Sequence, residues 1–187
     1  CAEGSDGASP WDRPANALLP PVEPSRPIAA PCPVDERALH EPMIEHARAS
    51  ASAVAVVDSV SGHEVTFASL ELMTRRVAGE LACALEMQTS GPHVVAVVMH
   101  KSWRQVVASL SVLRVHGAYL PVDAKMPQQR LEQILLASGA RGVISDATAL
   151  SEKPWLREHG LPLVDVDSLV SLDYVAAEDA YPLVELE

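Results

Sequence analysis

A chain of 187 residues, 48 % hydrophobic and 21 % charged, is long enough for one ordinary domain plus an arm. Only 4 % of the residues are aromatic, so Val, Leu, Ala and Ile must fill the core. The formal net charge of −11 repels a phosphate backbone and argues against nucleic-acid binding.

Eight of the fifteen prolines fall between Pro10 and Pro33. Proline fixes φ and lacks an amide donor, so residues 1–34 read as an extended interdomain linker, with Trp11, Leu18, Leu19 and Ile28 as apolar anchors. The rhythm changes at Asp35, which can cap a helix carrying Leu39, Met43 and Ala47 on one face. Pro42 sits best in a first turn, which moves the expected start towards Glu41. Val54–Val57 is a β-branched strand, Ser59–Gly62 a turn, and Val65–Phe67 a second short strand. Ser69 is the expected cap of a helix bearing Leu70, Met73, Val77, Leu81 and Leu85.

Val94–Met99 is a continuous apolar run, as expected of a strand covered on both faces. Ser102 should start a helix with Trp103, Val106, Val107, Leu110 and Leu113, and Gly117 should end it in the left-handed conformation. Ala118–Val122 is the next strand. Pro127 should open a helix with Leu131, Ile134 and Leu135, and Gly139 should close it. Val143–Ser145, a short helix around Trp155, and a last strand Leu163–Val166 follow. This alternation implies an α/β fold, a mostly parallel sheet flanked by helices, with an extended Pro-rich N-terminal arm. Residues 35–170 would form the globular unit. Beyond Arg157 there is no Lys or Arg, and residues 171–187 read as an acidic tail.

Chemistry-bearing motifs are few. The sequence holds no Gly-rich run followed by Lys and Ser/Thr, no GxGxxG, no GxSxG and no HExxH. Cys1, Cys32 and Cys83 have no metal or redox spacing, and a reducing cytoplasm is their expected setting. The first thirty residues lack the apolar stretch of a signal peptide, and no run is long enough to span a bilayer. His40 and His46 lie six apart, while His93, His100 and His116 each border a strand or helix, so no metal is assigned. Asp58 and Asp123 each follow an apolar strand, where ligands of doubly wound sheets gather. A turn-capping role suits Asp123 better. No catalytic, cofactor-binding or metal residue is assigned. A receiver-like or flavodoxin-like domain is a poorer reading, since the acidic cluster of the former and the phosphate loop of the latter are missing.

LRVHGAYLPVD, residues 113–123, resembles a core motif of nonribosomal-peptide adenylation domains, Leu-Lys-Ala-Gly-x-Ala-Tyr-Val/Leu-Pro-Leu/Ile-Asp. Pro127-Gln128-Gln129-Arg130-Leu131 stands where that family has Pro-x-x-Arg-Leu, and ASGARGVIS (137–145) resembles its Asp-Ser-Gly-Ala-Arg strand entry. VTFASL (65–70) is similar to the earlier motif Leu-Thr-Tyr-x-Glu-Leu, and ALHEPMIEHARAS (38–50) to the opening helix. Four matches in order cover roughly residues 36–170. WDRPANALLPP (11–21) resembles the exit of a condensation-type domain, specifically a heterocyclisation domain, with Arg26 as its basic residue. Departures are Phe67 for Tyr, Ser69 for Glu, and His116 for a small Gly.

The resemblance implies acyl adenylation by the parent enzyme, with ATP and Mg as its cofactors and a neighbouring condensation or heterocyclisation domain and a carrier domain as partners. An upstream heterocyclisation domain would imply cysteine, serine or threonine as the activated amino acid. The family's triphosphate loop, substrate aspartate, ribose aspartate and catalytic lysine all follow the region seen in this sequence. The chain alone is therefore expected to be a catalytically incompetent scaffold, with an uncovered sheet edge that favours self-association. The alternative is a split or degenerate adenylation domain that serves as a docking module.

Overall fold

A computed structural model of the chain describes residues 36–85 and 93–170. The expected linker, Asp35 as a cap, the heterocyclisation-like exit and the acidic tail lie outside the described residues.

The helix α1 (Glu41–Ala49) starts with Pro42 in its first turn. Met43 and Ala47 face inward, but Leu39 precedes the helix and is 78 % exposed, so it does not belong to the buried face. Next, β1 (Val54–Val57) and β2 (Glu64–Thr66) form an antiparallel hairpin with a register shift between Val54 and Val56. The long helix α2 (Phe67–Ala84) begins one turn before the expected Ser69 cap. Thr66 is the cap: its hydroxyl oxygen accepts from the Ser69 amide at 3.2 Å and donates to the Ser69 hydroxyl at 2.9 Å. Phe67, expected in a strand, is therefore helical, because a satisfied cap outweighs an aromatic side chain's strand preference.

The remaining elements are β3 (Val94–Met99), α3 (Trp103–Arg114), β4 (Ala118–Asp123), α4 (Gln128–Ser138), β5 (Gly142–Ser145), α5 (Ala147–Glu152), a 3-10 turn (Pro154–Arg157), β6 (Leu163–Asp165) and α6 (Val166–Leu169). Two of these differ from expectation. Val166 opens α6 instead of ending β6, because Asp165 caps that turn by accepting from the Asp167 amide at 3.1 Å. The helix α5 was not expected. It is only six residues long and too short to show a helical period.

The four-stranded sheet is parallel throughout, in the order β4-β3-β5-β6. Val95, Val97 and Met99 point to one face, where α2 and α3 pack through Leu70, Met73, Val77, Val107 and Val112. Ala96 and Val98 point to the other, against Leu131 and Leu135 of α4, Leu150 of α5 and Leu156. Both faces of β3 are dry, which explains its unbroken apolar sequence. The chain passes from β3 outward to β4, then returns across β3 to β5 and β6. The connections leave β3 and β5 on opposite faces, so a topological switch point lies between those two strands.

On the outer strand, Ala118 donates to the His93 carbonyl and Ala124 to the Met99 carbonyl. Backbone direction alternates along a strand, so the groups of Tyr119, Pro121 and Asp123 point away from β3. Pro121 thus sits where its missing N–H removes no bond from the ladder.

The end of α3 corrects another expectation. His116, not Gly117, takes the left-handed conformation, at φ 56°. The His116 amide donates to the Leu113 carbonyl at 3.0 Å and the Gly117 amide to the Val112 carbonyl at 2.9 Å, the bond pair of a Schellman motif. Gly117 is needed for space instead. A Cβ there would lie 2.9 Å from Val112 Cγ1 and 3.1 Å from the carbonyl oxygens of His93 and Val112.

Candidate functional site

The carboxyl end of the sheet opens into a cleft of roughly 840 Å³, bounded by the β1–β2 turn, the start of α3 and the end of β4. Asp58 and Asp123 both line it, as do His63, His100, Lys101, Arg104 and Lys125.

Each aspartate has a local task. Asp58 leaves β1 and is buried. Its Oδ1 accepts from the amides of Val60 at 2.9 Å and Ser61 at 3.1 Å, closing the hairpin turn. Its Oδ2 accepts from the Trp103 amide at 3.4 Å, so it also caps α3 across 45 residues. Ser102, the expected cap, makes no side-chain capping bond. Amide donors from Ser61, then Val60, hold the Asp58 carboxyl below its usual range, with a smaller effect from Trp103. Asp123 Oδ1 accepts from the Lys125 amide at 2.9 Å, and its carbonyl accepts from Met126 at 3.0 Å. It shapes the turn before Pro127, which is the residue preceding α4 and not its first residue.

The switch point holds residues that sequence reasoning did not single out. Asp146 follows β5, is buried, and caps α5 by accepting from the Ala149 amide at 2.7 Å. Burial pushes its carboxyl up, and the neighbouring Asp167 adds to that, against the Ala149 bond and the positive charge of Arg104. Asp167 accepts from Arg104 Nε at 2.5 Å through Oδ1 and from the Ala147 amide at 3.0 Å through Oδ2. It thereby ties α3, α5 and α6 together. His100 Nε2 lies 2.8 Å from Glu152 Oε2, linking the end of β3 to α5. The guanidinium of Arg104 also stacks 4.6 Å from the Trp103 ring centre. The signal for Asp146 was its place directly after a strand, which it shares with Asp58 and Asp123.

At the switch point the described residues thus meet in the chain's own cap and ion pairs. Among the described residues, no group of three or more His, Cys, Asp or Glu side chains converges as a metal site. Cys83 is a free, exposed thiol. No helix of the described residues is long and apolar enough to cross a membrane.

Comparison with known proteins assigns the family. The family model described as "AMP-binding enzyme" matches residues 43–183, and the chain belongs to that family. It is 33 % identical over 145 residues to chondramide synthase cmdD of Chondromyces crocatus, covering 75 % of this chain and 4 % of that protein. It is 35 % identical over 114 residues to phosphinothricin tripeptide synthetase PhsB of Streptomyces viridochromogenes, covering 60 % of this chain and 8 % of that one. The crystal structure of the nonribosomal peptide synthetase FmoA3 (S1046A) in its alpha-methyl-L-serine-AMP-bound form superposes with a TM-score of 0.62 at 30 % identity. The match covers 77 % of this chain and 15 % of that one. Within the family, this region is the N-terminal part of an adenylation domain of the nonribosomal-peptide-synthetase type. The chain spans a small fraction of the length of the relatives it matches.

Proposed function

We propose that this region serves adenylation as scaffold and not as chemistry. It builds the four-stranded layer, while contacts to ATP, Mg and the amino acid come from other residues of the domain. The carrying observation is that the aspartates at the carboxyl end of the sheet have local tasks: Asp58, Asp146 and Asp167 are each engaged by backbone amides, and Asp167 by Arg104 as well. Carboxylates engaged in this way position the loops at the carboxyl end of the sheet. The absence of a phosphate-loop motif from the 187 residues supports the same reading. In this proposal residues 1–34 form the linker, 35–170 the subdomain and 171–187 an acidic tail, in a cytoplasmic multidomain synthetase. Its partners are the remainder of the adenylation domain and flanking condensation or heterocyclisation and carrier domains. Val57 and Val60 on the hairpin and Leu136 on α4 stand exposed and support contact with such neighbours.

Pyrophosphate exchange tests the proposal. The 187-residue chain should give no amino-acid-dependent exchange with any proteinogenic amino acid, cysteine, serine and threonine included. Exchange clearly above a no-enzyme control would overturn it.

A further inference from the structure

His40 precedes α1 and is 8 % exposed, yet its side chain makes no capping bond. Its Nδ1 is buried with no hydrogen-bond partner, a costly arrangement for a polar atom. Its ring meets His116 edge-on, with centroids 6.2 Å apart. His116 is held in the left-handed conformation, at φ 56°. Two histidines, both in unfavourable settings, thus join the start of α1 to the end of α3.

We propose that His40, seated against His116, forms an acid-sensitive latch, which keeps the start of α1 on the α2–α3 pair while the His40 ring is neutral and releases it when that ring becomes an imidazolium ion.

The charged groups around His40 explain the direction. Glu41 neighbours it on α1, Glu71 faces it from α2, and Arg114 and His116 face it from the end of α3. Glu71 is the anion that would stabilise an imidazolium, but Arg114 holds it with two bonds of 2.6 and 2.9 Å, and Arg75 lies 4.0 Å away. A charged His40 would therefore be buried near the Arg114 guanidinium, which already holds Glu71. Burial first, then Arg114 and His116, hold the His40 pKa below the ordinary value, and Glu41 and Glu71 offset only part of this. Once released, His40 titrates as a free histidine, at about 6.5. Above that pH both states are neutral and release does not depend on pH. Below it the released state binds the proton first, and release becomes more favourable by up to about tenfold per pH unit until the latched ring itself titrates. Among the described residues, α1 buries Ala47, packs Met43 partly, and sets His46 5.1 Å from Phe67. A helix with so few buried contacts can open without the rest of the domain.

Hydrogen exchange of the full chain at pH 7.5 and 5.5, corrected for intrinsic rates, tests the latch. The opening constant of residues 43–49 should rise on acidification, by at most about tenfold, while that of residues 70–81 changes much less. His40→Phe keeps a buried ring without the proton and should flatten the response. His116→Asn tolerates the left-handed conformation and should reduce it. Equal changes in both segments, or an undiminished response in His40→Phe, would overturn the proposal. If that variant does not fold, the ring resonances of the wild-type chain decide: a His40 that titrates at or above 6.5 refutes the latch, and one that titrates lower supports it.

Discussion

Two helices of this domain end in the same motif with different residues. At the end of α4, Gly139 takes φ 64°, and its amide and that of Ala140 donate to the carbonyls of Leu136 and Leu135. At the end of α3, His116 takes φ 56° and makes the equivalent pair of bonds with the following glycine. A Cβ at Gly139 would meet nothing within 4 Å, whereas one at Gly117 would collide with Val112 and two carbonyl oxygens. The two glycines therefore serve separate needs. Gly139 supplies a backbone angle in open space, and Gly117 supplies space at an ordinary backbone angle. The angle at α3 is borne by a histidine, at a steric cost that glycine avoids.

Three substitutions can break or sharpen this contrast. The largest effect is expected for Gly117→Ala. The clash involves a β-branched side chain and backbone, neither of which yields easily, so the loss should be about 2 kcal/mol by urea denaturation. A loss below a few tenths would mean that the β3–α3 junction adjusts freely. Gly139→Ala should cost about 1 kcal/mol, all of it conformational. A cost equal to that of Gly117→Ala would erase the distinction between angle and space. The smallest change is expected for His116→Gly, measured at pH 7.5. Relief of the left-handed strain is partly offset by the entropy of an added glycine, for a net gain of about 0.5 kcal/mol. A loss instead would show that the contact with His40 outweighs the backbone strain.

Much of the fold was legible because its physics is local. The strand β3 was readable from six consecutive apolar residues, and the left-handed end of α4 from a glycine just past the last periodic leucine. Two misreadings arose where another residue supplied the cap that the local sequence suggested. Ser102 looks like a cap, but Asp58, 45 residues earlier, holds the amide of Trp103. Ser69 looks like a cap, but it serves as the amide donor to Thr66. The left-handed angle at the end of α3 is expected at Gly117 and lies at His116 instead, because a glycine next to the helix end reads locally as the residue that bears it. In the site, Asp58 and Asp123 were found from their place after strands. Asp146 occupies an equivalent place, and the pairing of Arg104 with Asp167 spans 63 residues and left no trace in local sequence.

Pro121 has a consequence for association. The outward side of β4 is where another strand would add, and exposed parallel edges invite such addition. With Pro121 in the middle, an incoming strand would find amide donors only at Tyr119 and Asp123, about 13 Å apart along the strand. The Asp123 carbonyl is already taken by Met126. Pairing in register would leave a missing bond at the centre of the new ladder. The proline therefore acts as a gatekeeper against cross-strand polymerisation. It leaves the cohesive side of β4 facing β3 and disfavours strand addition on the outward side.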